Sequence, residues 1–429
     1  VVDADARDKA LRSDIHHLGE LLGQSLIRQV GPDLLDQVER IRAQAKAART
    51  EPSRAGELEE NLAGMQPQTA ISVVRAFGAY FHLANVAEQV HRRDEIGARR
   101  QSDRNWFATA IDSLQESGAS RDDIARLTSR LDLRPVFTAH PTESARRSML
   151  DKLRQIADLL ERRGDSRRSD VFRRQIDRRL AEVIDLMWQT DELRRRRPTP
   201  LDEASAAAYY LGILCEEAIG PVTDELGARL AEAGVILPDD ARPIRLGTWV
   251  GGDRDGNPNV TPEVTAEVLH LNHQRGVRHL ITCVDRLVSP LSSSTRAVGV
   301  SSELLADLDR SRTDIAVVHE RFARLNEEEP YRLQCSYILE RLWNTKRRLG
   351  AASEHRPGFD YSSPAELIAD LRLMSHSLRE NGGALVASGL IDPVVRTVAA
   401  CGFGLAQMDV REHAQRHNDV LAKLIPDFG

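Results

Sequence analysis

The chain has 429 residues, enough for two or three domains, and its formal net charge of −6 leaves no whole-chain field to draw in nucleic acid or an anionic membrane. Its four scattered cysteines (Cys215, Cys283, Cys335, Cys401) form no CxxC and no short-range pair, which speaks against a disulfide framework and for a reducing, cytoplasmic setting. No signal-peptide pattern shows in Val1 to Leu22, and no apolar run reaches the roughly 18–20 residues that span a bilayer.

Aromatic residues are 4% of the chain, while Leu, Ala, Arg and Glu dominate. Straight-chain side chains lose little rotamer freedom in a helix, so the bulk is expected to be helical. Over 8–48, Leu11, Ile15, Leu18, Leu21 and Leu22 fall on one stripe, and Gly31-Pro32 breaks the pattern. A second helical block at 68–98 carries Val73, Val74, Phe77, Phe81, Leu83 and Val86, and shorter helices follow at 103–115 and 120–130. At Leu133 the period changes. Leu133 to Thr138 is short, extended and bounded by Pro135, and reads as a strand.

Two helical faces follow, one of Met149, Leu153, Ile156 and Leu160, the other of Phe172, Ile176, Leu180, Val183 and Met187, and 203–234 is helical again. Pro243 to Val250 is a second strand. Thr261-Pro262-Glu263 then opens a helix with a hydroxyl N-cap, Pro at N1 and an acid in the first turn. Helices continue through 300–350 and 364–383, and Gly404 to Val410 is a third strand-like segment. Each strand ends in a polar cluster: His140, then Asp253, Arg254 and Asp255, then Asp409 and Arg411. Reactive residues at the C-terminal ends of parallel strands are what a (β/α) barrel provides. The fold expected is therefore mostly α, a helix-rich partial (β/α) barrel with about three of eight strands present. The expected domains are a helical layer at 1–130 and an incomplete barrel with large helical insertions at 131–429.

His140 precedes Pro141, is flanked by Thr138 and Thr142, and stands before a helix start bearing Arg146 and Arg147. Such a helix start favours an anion, and an imidazole there can move a proton on it. A structural hydrogen-bonding role is the plain alternative. Gly251-Gly-Asp-Arg-Asp-Gly-Asn-Pro-Asn259 reads as a solvated turn, a calcium loop or an anion-binding loop. The calcium reading fails on Pro258 at the sixth position and Val264 at the twelfth. Arg254 between two aspartates suits an arginine held in a fixed pose for a phosphate, with Trp249 as a pocket wall. Asp409-Val-Arg411 repeats the theme. His413 and His417 have chelating i,i+4 spacing, but no HExxH order and no third ligand, so no metal site is assigned. The run Arg194 to Arg197 has no interleaved aromatics and reads as a phosphate-facing or solvated helix end, not a nucleic-acid patch.

Val136-Phe-Thr-Ala-His-Pro-Thr-Glu-Ser144 and Gly247-Thr-Trp-Val-Gly-Gly-Asp-Arg-Asp-Gly-Asn-Pro-Asn-Val-Thr261 together resemble the phosphoenolpyruvate carboxylase family. The similarity extends in matching order through Leu11-Arg-Ser-Asp-Ile15, Thr190-Asp-Glu-Leu-Arg194, Glu329-Pro-Tyr-Arg332 and Asp409-Val-Arg411, covering essentially the whole chain. The resemblance implies a helix-rich homotetramer around a β/α barrel. It also implies a reaction joining bicarbonate to phosphoenolpyruvate with Mg²⁺ or Mn²⁺, through carboxyphosphate and an enolate, to give oxaloacetate and phosphate. His140 matches the family's catalytic histidine and Arg411 a substrate-phosphate ligand. Trp249, Asp253 and Arg254 match residues at the pocket mouth. Glu412 stands where the family usually has glutamine. On the same resemblance the chain is an N-terminal fragment, inactive alone, with metal ligands expected beyond Gly429. The other readings are a truncated helical protein that associates with intact subunits, and a regulatory module that binds a metabolite.

Overall fold

The computed structural model describes residues 4–100, 106–138, 146–165, 169–191, 198–238, 241–255 and 257–425. His140 and the run Arg194 to Arg197, both singled out from the sequence, lie outside the described residues. The chain forms two compact units, Val1–Trp106 with Ser144–Arg197, and Phe107–Glu143 with Pro198–Gly429.

The first unit is helical among its described residues. Its longer members are Ala4–Gln29, Pro32–Thr50, Pro67–Arg100, Arg147–Gly164 and Asp170–Trp188. The break at Gly31-Pro32 falls between the first two, where Gly31 takes a positive φ of 124° and Pro32 starts the next helix. Leu18, Leu22, Leu83, Ile156, Leu180 and Ile184 meet in one core. Of the apolar residues on the Pro67 helix, Val73, Leu83 and Val86 are buried, whereas Val74 and Phe81 are exposed at 70% and 60%. Charge alternates along this unit's flank. Arg163 lies 2.6 Å from Asp177 and 3.8 Å from Asp14, while His17 and His91 hold those carboxylates at 2.9 Å and 2.8 Å.

The second unit carries three parallel strands, β1 (Val136–Phe137), β2 (Gly247–Thr248) and β3 (Gln407–Met408), in the order β1-β2-β3. All three fall inside the expected segments. Phe137 pairs with Thr248 and Thr248 with Met408. The regular strands are short, but parallel bridges at Leu133–Ile244 and Asp253–Arg411 extend the pairing before and after them. The helix Pro262–Val288 begins as expected, with the Thr261 hydroxyl accepting from the Val264 amide. It packs with Pro330–Ala351, Pro364–Glu380 and Asp392–Cys401 around Val277, Leu280, Ile338, Leu371 and Val395. Gly276 is required by a close approach, since a Cβ there would sit 2.1 Å from the Phe403 carbonyl oxygen.

Two sequence expectations change. Cys215 and Cys401 form a disulfide across a separation of 186 residues, with Cα atoms 6.4 Å apart. Sequence spacing alone could not reveal a pair that only the packing of two distant helices creates. Two helical stretches, Pro67–Gly97 and Ala384–Cys401, are also long and apolar enough, by length and composition alone, to cross a bilayer. Each buries a face in its own unit, through Val73, Leu83 and Val86 in the first and Ile391, Val395 and Val398 in the second. Core helices of this composition do the same.

Candidate functional site

The polar cluster lies where β2 and β3 leave the sheet. After β2 the chain runs through Trp249 and Val250 into a turn, where Gly251 has a φ of 81° and a Cβ would strike Val268. Gly252 brings the backbone still closer: a Cβ there would lie 2.4 Å from the Asp409 carbonyl oxygen. These glycines let the β2 and β3 extensions run side by side. The Arg411 amide donates to Gly252 O at 2.9 Å, and the Arg254 amide donates to Arg411 O at 2.9 Å.

The contacts of the side chains divide this ribbon into two sides, with the 250–252 turn lying between Trp249 and the Asp253–Arg411 bridge. On one face Arg411 donates from Nη1 to Asp253 at 3.1 Å and lies 3.9 Å from Asp255. Its guanidinium carbon sits 4.2 Å from the Trp249 ring centroid, and Trp249 Nε1 donates to Asp409 at 3.2 Å. The structure therefore gathers Trp249, Asp253, Asp409 and Arg411. Arg411 is 41% exposed, with N–H donors beyond those given to Asp253.

Arg254, expected beside them, is on the other face. Its Nη2 donates to Thr265 Oγ1 at 3.1 Å, its Nη1 lies 4.0 Å from Glu412, and its enclosed Nε meets no acceptor among the described residues. Thr265, buried one turn into the Pro262 helix, is the member that sequence reasoning missed. Its only signal was a second hydroxyl four residues after the N-cap Thr261. Glu412 also accepts from the His413 amide at 3.0 Å and from Arg416 at 3.3 Å. The amide contact first, then the nearby arginines, holds its carboxyl below the usual glutamate range.

His413 caps the helix Ala414–Leu424, its Nδ1 accepting from the Gln415 amide. Among the described residues no three His, Cys, Asp or Glu side chains come together as a metal site. The described residues thus do not fit a divalent cation. A separate groove of about 600 Å³, lined by Arg242, Ile368, Arg372 and His376 among others, includes none of the motif residues.

In chemical class the rim is an arginine site at parallel strand ends, suited to a phosphate or carboxylate by charge-assisted hydrogen bonds. A sequence profile of phosphoenolpyruvate carboxylase matches residues 11–429, and the chain belongs to that family. It is 35% identical over 429 residues to a phosphoenolpyruvate carboxylase of Stutzerimonas stutzeri, covering 98% of this chain and 46% of that protein. Relatives of the same name from Xanthomonas euvesicatoria and Roseiflexus castenholzii are 34% identical over 97% and 98% of the chain, and 46% of each relative. The chain spans about half the length of the curated relatives it matches.

Proposed function

We propose that the complete protein joins bicarbonate to phosphoenolpyruvate, giving oxaloacetate and phosphate, in the cytoplasm and as a homotetramer. The observation that carries this reading is Arg411, stacked on Trp249 and held by Asp253 at the ends of parallel strands, in a chain matched to the family over 11–429. In this reading β1, β2 and β3 are the first strands of a (β/α) barrel within 131–429, with 1–130 as the helical layer. A bicarbonate oxygen attacks the phosphoryl group and the enolate leaves, forming carboxyphosphate. That intermediate then breaks into CO₂ and phosphate, and the enolate carbon takes the CO₂.

Arg411 is assigned to the substrate phosphate, where its spare donors give charge-assisted hydrogen bonds. Asp253 holds that guanidinium, Trp249 forms the wall, and Arg254 serves the same rim. His140 is assigned to carboxyphosphate. A divalent cation, Mg²⁺ or Mn²⁺, would supply charge to stabilise an enolate. Its ligands are assigned to the portion of the relatives that this chain does not span.

The test is oxaloacetate formation by the complete enzyme supplied with Mg²⁺, bicarbonate and phosphoenolpyruvate. His140→Asn should leave the circular dichroism unchanged and abolish oxaloacetate. Residues 1–429 alone should give background activity. Near-normal oxaloacetate from the variant would overturn the assignment.

A further inference from the structure

The rim's two arginines are divided by the ribbon between them. Trp249, Asp253, Asp409 and Arg411 contact one another on one face. On the opposite face Val250 and Met408 pack with Val264 and Val268 of the Pro262 helix, and Arg254 meets the same helix at Thr265. Its Nη2 donates to Thr265 Oγ1 at 3.1 Å, and that hydroxyl donates onward to Gly251 O at 2.8 Å. The guanidinium is therefore tied to the helix and, through it, back to its own turn. From its other side it reaches toward Glu412, the residue immediately after Arg411, at 4.0 Å. The two backbone hydrogen bonds that join residues 252 and 254 to Arg411 lie between these anchors.

We propose that Arg254 is a positioning residue that does not touch the oxyanion: through Thr265 and Glu412 it clamps the ribbon from behind and thereby fixes the pose of Arg411 on Trp249. The planar fork gives one nitrogen to Thr265 and turns another toward Glu412. A lysine ammonium is a point charge and keeps one of them. This inference rests on the rim being the phosphate site, and the experiment separates the two.

In the complete enzyme, Arg254→Gln should raise the KM for phosphoenolpyruvate on the order of threefold to tenfold, the scale of a lost partly exposed ion pair with its hydrogen bond. The dependence of KM on ionic strength should stay at the parent slope, because the charge facing the substrate is still Arg411. Arg411→Ala should flatten that slope. Adding Glu412→Gln to Arg254→Gln should change KM less than it does in the parent, because both act through one clamp. Thr265→Val, which removes the acceptor and keeps the shape, should reproduce the rise in KM and serves where Arg254→Gln does not fold. Adding phosphoenolpyruvate is expected to change the tryptophan emission of the parent through Trp249, and that change should shrink in both clamp variants.

A merely structural residue would lower the melting temperature and leave KM and emission alone, and that result would overturn the proposal. So would an Arg254→Gln enzyme whose salt slope flattens as far as that of Arg411→Ala, since this would mark direct contact. An unchanged KM in Arg411→Ala would instead overturn the rim reading itself.

Discussion

Arg341 and Arg411 belong to the same unit and carry the same side chain, yet their surroundings give them opposite uses. Arg341, on the Pro330 helix and facing Asp370 of the Pro364 helix, is only 8% exposed at its side chain. Its Nε donates to Gly358 O at 3.0 Å, its Nη1 to Asp370 at 2.7 Å and its Nη2 to Ser311 at 2.8 Å. Tyr361 donates to the same Asp370 carboxylate at 2.6 Å. Every edge of that guanidinium is engaged inside the fold. Arg411 has one carboxylate in hydrogen-bonding range, an aromatic ring under its face, and donors left over. A saturated, buried arginine holds structure together, whereas a propped, half-open one is available to a ligand.

Four substitutions would break or sharpen that contrast. Arg341→Ala leaves the Asp370 carboxylate buried without its cation and should cost about 3–5 kcal/mol in urea unfolding. A loss below about 1 kcal/mol would remove the distinction. Arg411→Ala should cost less than about 1 kcal/mol in the same assay. In the complete enzyme it should raise the KM for phosphoenolpyruvate about 10- to 100-fold, the worth of a charged hydrogen bond.

Asp360 sharpens the buried side through pH. Burial pushes its carboxyl upward, but hydrogen bonds from His355 and the Arg356 amide, with Arg348 beside it, outweigh that and hold it below the usual aspartate range. A lowered folded value stabilises the protein above the ordinary aspartate pKa of about 4, and that contribution disappears as pH falls through the folded value. Asp360→Asn should therefore lose stability at neutral pH by about 1–2 kcal/mol and show a flatter decline on acidification, followed by urea midpoints from pH 7 downward. A parallel acid limb in parent and variant would refute the linkage. Asp253→Asn is the mildest. It keeps an acceptor for Arg411 and loses only the charge, so the KM should rise about twofold to fivefold.

Much of the fold was legible because its signals were local. The strands at 133–138, 243–250 and 404–410 each pair an apolar run with Pro or Gly, and each contains an observed strand. Thr261-Pro262 announced its helix start by capping chemistry alone. The approach of Asp253 to Arg411 was legible only as two similar motifs, since the pairing itself depends on parallel register. The face of Arg254 was not legible, because a turn of glycines and aspartates gives no alternation until its partner strand is known. The exposure of Val74 and Phe81 was not legible, because apolar composition does not say how wide a strip of a helix its neighbours cover. Cys215 and Cys401 were hidden by their distance in the chain.

Under oxidising conditions, where the bond between those cysteines stays closed, it also changes what cleavage does to the molecule. It closes a covalent ring that contains β2 and the helices Pro262–Val288, Pro330–Ala351 and Pro364–Glu380. A protease that nicks one exposed turn inside the ring, such as 292–299, opens the loop without releasing either piece. The nicked chain then migrates as one species until a reductant divides it in two.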